Sequence, residues 1–130
     1  MISNQDQPSE VTQKKIPYDY SNKRIVALDK TAIANLAKDF AKLVIQYFDP
    51  IEIILYGSHA KGTANEESDI DIAVVVPEVK GDFLDQATLL FKLCHSVDDR
   101  LEPVLIVESH DDSGFLEEVR KTGYRIYPHA

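Results

Sequence analysis

Apolar residues recur along the chain with two different spacings, which divide it into helices and strands. From Asp29 to Pro50 they return every three or four residues, which predicts an amphipathic helix closed by the proline. Similar spacing over 82–97 and 114–123 predicts two more helices, with Gly123 suited to a helix C-terminus. The apolar positions of the longer helices are Ile33, Leu36, Ala37, Phe40, Leu43, Val44 and Tyr47, and then Leu84, Ala87, Leu90, Phe91, Cys94 and Val97.

Four shorter segments have the character of β-strands. "IEIILYG" reads as a short buried strand that ends in glycine, and "SDIDIAVVVP" as a second strand stopped by its proline. "LEPVLIV", residues 101–107, is a third, and "YRIYPHA" adds a short edge strand. The order is helix, strand, strand, helix, strand, helix, strand. It predicts an α/β (α+β) fold with a small mixed sheet of about four strands flanked by helices.

Length and composition predict one globular domain with an N-terminal extension. The chain has 130 residues, of which 44% are hydrophobic, enough for one core. Residues 1–24 are polar and contain two prolines, so we interpret them as a loose arm. Residues 25–130 then form the domain.

Charge and cysteine content exclude several classes of function. A net charge of -8 argues against duplex nucleic acid as the main partner, because binding phosphates requires clustered Lys and Arg. No apolar stretch has the length of a membrane helix or the core of a signal peptide. Cys94 is the sole cysteine, so no internal disulfide forms and a cytoplasmic location is predicted. We interpret Cys94 as a small buried hydrophobe.

Two aspartates occupy one face of the second strand. Asp69 and Asp71 are separated by one residue, which places their Cα atoms ~6.6 Å apart. Two carboxylates at that separation repel by ~2–3 kcal/mol at an effective dielectric near 20. A divalent cation would remove this conflict. The alternative is a half-exposed strand with an acidic outer face, but the apolar run "IAVVV" that follows favours a strand covered on both faces.

The turn after the first strand has features of a phosphate-binding loop. Gly57 allows a tight turn and a close approach of the backbone to a ligand. Ser58 offers a hydroxyl and a backbone N–H at the start of a short helix, and Lys61 lies one turn later. The alternative is an ordinary strand-to-helix connection. A Walker-type loop is excluded, because Thr63 stands where that motif requires lysine.

Taken together, Gly57-Ser58, ten intervening residues and Asp69-Ile70-Asp71 resemble the signature of the DNA polymerase beta-type nucleotidyltransferases. Over roughly residues 30 to 127 the chain resembles the minimal nucleotidyltransferases, which are often antitoxins paired with HEPN-domain toxins. The resemblance implies a third carboxylate on a strand beside the Asp-x-Asp strand, and Glu102 fits that role. Asp98 and Asp99 compete with it, but we interpret them, with Arg100, as a solvated turn.

The resemblance also implies a reaction. It is the Mg²⁺-dependent transfer of AMP from ATP to a hydroxyl acceptor, with a tyrosine of a partner HEPN toxin as the favoured acceptor. Asp69, Asp71 and Glu102 would be the catalytic and metal-binding residues and hold two Mg²⁺ ions. Gly57, Ser58 and Lys61 would bind the nucleotide phosphates.

Two other functions stay open at this point. One is a catalytically idle module that masks a partner, and the other is a small-molecule nucleotidyltransferase that works with a separate helical subunit. The sequence does not determine the acceptor, the nucleotide preference or the oligomeric state, homo-oligomers included.

The four histidines match no zinc-binding spacing, so no zinc site is predicted. His59 lies beside Ser58, where it either contacts a phosphate or is an exposed loop residue. His95 is interpreted as structural, and His110 and His129 as loop residues.

Overall fold

The computed structural model describes residues 30–64 and 68–128, and it confirms the predicted fold class and order of elements. The predicted N-terminal arm and His129 lie outside these ranges. The helices are α1 (Lys30–Tyr47), α2 (Ser58–Lys61), α3 (Phe83–Val97) and α4 (Phe115–Thr122). The strands are β1 (Glu52–Tyr56), β2 (Ile70–Val76), β3 (Leu101–Val107) and β4 (Tyr124–Tyr127), and a 3₁₀ turn covers Glu108–His110.

The four strands form one mixed sheet in the order β3-β2-β1-β4. β1 is antiparallel to both β2 and β4, whereas β2 and β3 are parallel and joined through α3. β4 is an edge strand, as the sequence predicts. β3 is the other edge, a position that tolerates Pro103 because proline has no N–H to donate to a ladder.

Both faces of the sheet are buried, which excludes the half-exposed strand considered for β2. Ile70, Ile72 and Val74 belong to a core cluster shared with α1 and α3. Ala73 and Val75 belong to a second cluster, on the opposite face, shared with α4. β2 is therefore a central strand, with Asp69 directly before it and Asp71 as its second residue.

Three predicted core positions are wrong. Tyr47, Leu84 and Phe91 are 55%, 69% and 49% exposed. Tyr47 is the last residue of α1, and the residue that follows it, Phe48, is buried instead. Leu84 lies in the first turn of α3, and Phe91 is about 100° around that helix from the buried Leu90.

The predicted helix end at Gly123 is confirmed, but its physical reason differs from the expected one. Its backbone is extended, with φ -90° and ψ 178°, so the residue does not use the left-handed conformation of a glycine cap. A Cβ would lie 2.6 Å from the carbonyl oxygen of Val119 and 2.8 Å from that of Leu55. Glycine is needed because the chain passes close to β1.

The strand directions define two ends of the sheet. β1 ends and β2 and β3 begin at one of them, which we call the site end. The opposite end, where β2 and β3 finish, is the far end. α1 runs back against β1 through a short turn, so its C-terminus lies at the far end, where Asp49 pairs with Lys80. No helix within the described ranges has the length and apolar character needed to cross a membrane.

Candidate active site

Three side chains form a row across adjacent strands at the site end. Tyr56 of β1 lies opposite Asp71 of β2, and Asp71 lies opposite Glu102 of β3. Residues directly opposite each other share a face of the sheet. The Ile70 N–H also donates to the Arg100 carbonyl at 2.8 Å, which fixes the start of β2 against the chain entering β3. The structure thus brings two of the three predicted carboxylates, Asp71 and Glu102, side by side, whereas Asp69 directly precedes β2 and is exposed.

The turn at Gly57 is shaped around Asp71. Gly57 has φ 75° and ψ -153°, a conformation that is essentially restricted to glycine. A Cβ built there would overlap Oδ2 of Asp71. The absence of a side chain at Gly57 therefore leaves room for the Asp71 carboxylate against the turn, so that the two halves of the sequence motif meet in space.

The short helix α2 follows this turn directly. The N–H groups of Ala60 and Lys61 donate to the Gly57 carbonyl at 3.1 and 3.0 Å. The backbone N–H groups of Ser58 and His59 come before the first hydrogen-bonded amide of α2, so no carbonyl within the helix accepts a hydrogen bond from them. Lys61 is exposed at the last position of α2. Ser58 and Lys61 are thus the first and last residues of α2, directly after the Gly57 turn, and their phosphate-binding role stays a prediction.

The electrostatics of the site are those of crowded negative charges. Burial raises the pKa of Asp71, and the charges of Asp69 and Glu102 raise it further. The charge of His59 opposes this shift. Burial, followed by the charges of Asp71 and Glu102, also raises the pKa of Tyr56.

The donor chemistry of the three carboxylates fits a divalent cation, although the described residues contain no preformed ligand cluster. In 30–64 and 68–128, no group of three or more His, Cys, Asp or Glu side chains has the geometry of a metal site. Asp69 and Glu102 are exposed, and exposed side chains change rotamer rapidly. A hard cation prefers carboxylate oxygens and would relieve the repulsion at Asp71.

The Asp98 side chain is only 15% exposed, so its interpretation as solvated is wrong, whereas the Asp99 side chain is 93% exposed. Oδ1 and Oδ2 of Asp98 accept hydrogen bonds from Nε and Nη2 of Arg100, each at 3.0 Å, and Oδ1 also accepts one from the backbone N–H of Arg100 at 2.8 Å. The fork geometry of arginine explains this burial, because it satisfies both carboxylate oxygens at once. Of the competing acidic residues, Glu102 alone lies opposite Asp71.

Two further predictions concern the nearby end of α3. Cys94 is fully buried, and burial is the main cause that raises its pKa to about 12, in agreement with its interpretation as a small hydrophobe. His95 stacks against Phe91 with ring centroids 4.2 Å apart, and its Nδ1 lies 3.4 Å from Asp99. These contacts agree with a structural role for His95.

Sequence reasoning missed the aromatic side of the site. Tyr56 packs edge-on against Phe115 at the start of α4, with ring centroids 5.7 Å apart and an interplanar angle of 84°. Tyr56 is the last residue of β1, directly before Gly57. Its place directly before the glycine of the motif was the signal that the sequence offered. The residue beside that glycine lies at the site end of β1.

The comparisons with known proteins agree with this geometry. The model of the nucleotidyltransferase domain family matches residues 34–124. A protein of Methanocaldococcus jannaschii named "Putative protein adenylyltransferase" is 35% identical over 111 residues, with coverage of 76% of this chain and 74% of the relative.

Solved structures share the fold. One, a "putative nucleotidyltransferase from Sulfolobus solfataricus", has a TM-score of 0.56 and 21% identity and covers 74% of this chain and 80% of its own. A second, a "putative minimal nucleotidyltransferase", has a TM-score of 0.57 and 18% identity and covers 75% of this chain and 95% of its own. Since the family match spans most of the chain and the site residues meet at one end of the sheet, the chain belongs to the nucleotidyltransferase domain family and is a nucleotidyltransferase.

Proposed function

We propose that the protein transfers AMP from ATP to the hydroxyl of a protein tyrosine in a Mg²⁺-dependent reaction. Nucleotidyltransferases generally use a nucleoside triphosphate and a divalent metal. The relative from Methanocaldococcus jannaschii is named for protein adenylylation, which favours ATP and a protein acceptor. The observation that carries the proposal is the pairing of Asp71 with Glu102 beside a glycine turn that a Cβ would block.

The acidic residues have distinct roles in this proposal. Asp69, Asp71 and Glu102 would hold the divalent cations, two in number by the resemblance to the superfamily. A bound divalent cation neutralises the charge that develops on the transferred and leaving phosphate oxygens. Glu102 is exposed at the head of β3, where its carboxylate can accept the proton of the attacking hydroxyl.

The Gly57 turn and α2 bind the phosphates of the nucleotide. The absence of a Cβ at Gly57 lets the ligand approach the backbone beside Asp71. The Ser58 hydroxyl and the first amides of α2 are hydrogen-bond donors for the β- and γ-phosphates. Lys61 adds a positive charge on the exposed side of the same turn.

The acceptor in this proposal is a tyrosine of a HEPN-domain toxin, which AMP transfer silences. This step rests on the resemblance to minimal nucleotidyltransferases that serve as antitoxins and on the name of the curated relative. The protein would then act in the cytoplasm beside its toxin.

The test combines calorimetry with a transfer assay. ATP is titrated into the wild-type protein and into the double variant Asp69→Asn/Asp71→Asn, with Mg²⁺ and with EDTA. We expect Mg²⁺-dependent binding by the wild type that the double variant loses. α-Labelled ATP and a HEPN-domain protein are then added, and label on a tyrosine of that protein is expected. The matched control is Asp99→Asn, which removes an exposed carboxylate at the same end of the sheet.

The outcome separates the enzyme from a binding module. If the double variant silences the partner as well as the wild type does, masking rather than AMP transfer explains the effect, and the proposed function is wrong. Label on a small hydroxyl compound, with none on protein, would instead indicate a small-molecule acceptor.

A further inference from the structure

We propose that the acceptor protein binds as an added β-strand along the open side of β3 and so delivers its tyrosine to Glu102. The inference rests on the proposed function, because it uses the same site, and it adds how a protein acceptor is recognised. The occupant is an extended, apolar segment of the acceptor that also carries lysine or arginine. The observations that carry the inference are the backbone of β3, the groove beside it and the charge of that groove.

The backbone of β3 presents hydrogen-bonding groups on its outer side. β3 pairs with β2, and in the described part of the chain no strand pairs with its other side. The Ile70 N–H donates to the Arg100 carbonyl, so even-numbered residues of β3 hydrogen-bond to β2 and odd-numbered ones point outward. The N–H groups of Leu105 and Val107 and the carbonyl of Pro103 therefore face the open side. An extended chain can pair with these groups as an added strand.

A groove with a volume of about 820 Å³ follows this open side, and we call it the edge groove. Val104 and Ile106 of β3 lie in its floor. Phe83, at the start of α3, is a wall on one face of the sheet, and Phe115, at the start of α4, is a wall on the opposite face. Both phenylalanine side chains are exposed. The edge groove thus encloses the edge strand from both faces, as binding of one added strand requires.

Exposed apolar side chains continue the edge groove along α3. Leu84 and Phe91 are seven residues apart, so they lie on one line of the helix. Gln86 lies about 140–160° around the helix from both and lines a cavity with Ile45 of α1, so its flank of α3 faces α1. Leu84 and Phe91 therefore lie on the flank toward the open side of β3. Together with the two phenylalanine walls they are four of the seven large apolar side chains exposed in the described ranges, a concentration typical of an interaction site.

The charge of the edge groove favours a basic occupant. Glu78 and Asp111 line it, and no lysine or arginine of the described residues does. Asp82 and Asp112 are exposed directly beside lining residues, whereas Lys80 is paired with an aspartate of the far end at 2.8 Å. A second copy of this chain would bring the same negative charges against the groove. A segment with lysine or arginine is therefore favoured over self-association.

The edge groove leads to the row of Tyr56, Asp71 and Glu102. Glu102 is two residues before Val104 on the same face of β3, and Phe115 packs against Tyr56. A residue of the added strand opposite Glu102 shares that face, so a tyrosine there places its phenol beside the carboxylate. The phenolic oxygen forms a bond to the α-phosphorus of ATP, the bond from that phosphorus to the bridging oxygen breaks, and pyrophosphate leaves with the electron pair. The phenolic proton passes to Glu102 and then to water.

The first experiment measures AMP transfer from ATP and Mg²⁺ to synthetic peptides by the full-length protein. One peptide has a single tyrosine followed by alternating valine and threonine, flanked by lysines, and its counterpart has glutamates in place of the lysines. We expect kcat/KM to be about tenfold or more higher for the lysine peptide.

N-methylation of the lysine peptide tests strand pairing directly. One set of alternate N–H groups of an added strand faces β3, so methylation of that set should abolish binding, whereas methylation of the other set should leave it nearly unchanged. Equal effects of the two methylations would overturn pairing along the edge.

Variants of the protein test the apolar flank. Leu84→Ser/Phe91→Ser should raise KM for the lysine peptide about tenfold or more, with kcat and Mg²⁺-dependent ATP binding unchanged. Ile45→Ser/Tyr47→Ser is the matched control, because it removes two exposed apolar side chains of α1 outside the edge groove, and it should leave KM unchanged. An equal KM in the two variants would contradict the assignment.

Charge reversal and cross-linking identify the occupant. Glu78→Lys/Asp112→Lys should reverse the preference between the two peptides, whereas Asp39→Lys, at an exposed position of α1, should not. A photoreactive benzophenone introduced as Phe91→p-benzoylphenylalanine should cross-link to the lysine peptide. Cross-links to a second copy of the chain or to residues 1–29 of the same chain, with none to the peptide, would overturn the proposal.

The readouts separate this inference from the proposed function. AMP transfer to a protein tyrosine that neither Leu84→Ser/Phe91→Ser nor an excess of the lysine peptide slows would overturn the inference and leave the proposed function intact. Loss of Mg²⁺-dependent ATP binding and of all transfer in the wild type would remove the two together.

Discussion

Acidic side chains lie at both ends of the sheet, but the chain treats them in opposite ways. At the far end, Arg120 binds Glu52 at 2.6 Å and Glu108 at 3.0 Å, and Lys80 binds Asp49. At the site end, burial raises the pKa of Asp71 and repulsion from Asp69 and Glu102 raises it further, whereas the charge of His59 opposes the shift. Arg100 lies nearby, but Asp98 occupies its fork.

The difference separates the charges that the fold compensates from those that it leaves uncompensated. A carboxylate paired with arginine is compensated within the protein, so it contributes to the folded chain without a further partner. Carboxylates that face each other cost stability unless a cation from outside arrives. The far end is therefore structural, and the site end is suited to a cation and the phosphates that accompany it.

The largest expected effect follows from removing a carboxylate at the site end. Asp69→Asn or Asp71→Asn should reduce AMP transfer by about 10²–10³-fold or more, because a group that stabilises transition-state charge is lost. The melting temperature without metal should not fall, since repulsion is relieved. Transfer rates and thermal melts in EDTA check both parts. Asp99→Asn is the control, and a transfer rate within about twofold of wild type for Asp71→Asn would contradict the assignment.

Substitution of Gly57 should damage both stability and activity. Gly57→Ala introduces a Cβ that overlaps Asp71 and forces a conformation that costs about 1–3 kcal/mol. Gly81→Ala, at the far end, is the matched control. Gly81 also has a positive φ, but a Cβ added there would meet open space. We expect both variants to melt earlier and Gly57→Ala alone to lose transfer. Equal activity in the two variants would show that the close approach to Asp71 is unimportant.

These residues also show how much of the structure the sequence predicts. The row of Asp71 and Glu102 is predictable in outline, because the family resemblance implies a third carboxylate on a neighbouring strand, but the sequence does not show the register that aligns the two residues. Tyr56 was missed because β1 is so apolar that alternation alone does not reveal its faces. Leu84 and Phe91 were misplaced for a related reason, since helical spacing does not show how wide the buried face is.

A smaller effect is expected from the far end. Arg120→Met leaves Glu52, whose side chain is only 15% exposed, without its cation. We expect a loss of about 1–2 kcal/mol in the free energy of unfolding with transfer activity unchanged. Chemical denaturation and the transfer assay measure the two quantities. Lys80→Met is the control and should leave stability unchanged, because both members of its pair are exposed. Loss of activity in Arg120→Met would end the distinction between the two ends.

The smallest effect is a pH dependence confined to the site end. Folding raises the pKa of Asp71 above its ordinary value of 3.8, mainly through burial and then through Asp69 and Glu102. The folded state therefore holds the Asp71 proton more tightly than the unfolded chain does. The stability that this proton contributes is fully present below pH 3.8 and is lost as the pH rises through the raised pKa of Asp71. Asp71→Asn lacks this titration, so its melting temperature in EDTA should exceed that of the wild type by a margin that grows from acid to neutral pH.

Mg²⁺ completes the comparison. At neutral pH a bound cation offsets the repulsion in the wild type, whereas Asp71→Asn binds the cation more weakly. Saturating Mg²⁺ should therefore close or reverse the difference in melting temperature between the wild type and Asp71→Asn. Asp99→Asn should show no such Mg²⁺-dependent step, because its carboxylate is 93% exposed and lies outside the row of Asp71 and Glu102. A wild type more stable than Asp71→Asn in EDTA at neutral pH would mean that Asp71 has an internal partner. The site end would then resemble the far end, and its carboxylates would belong to the fold.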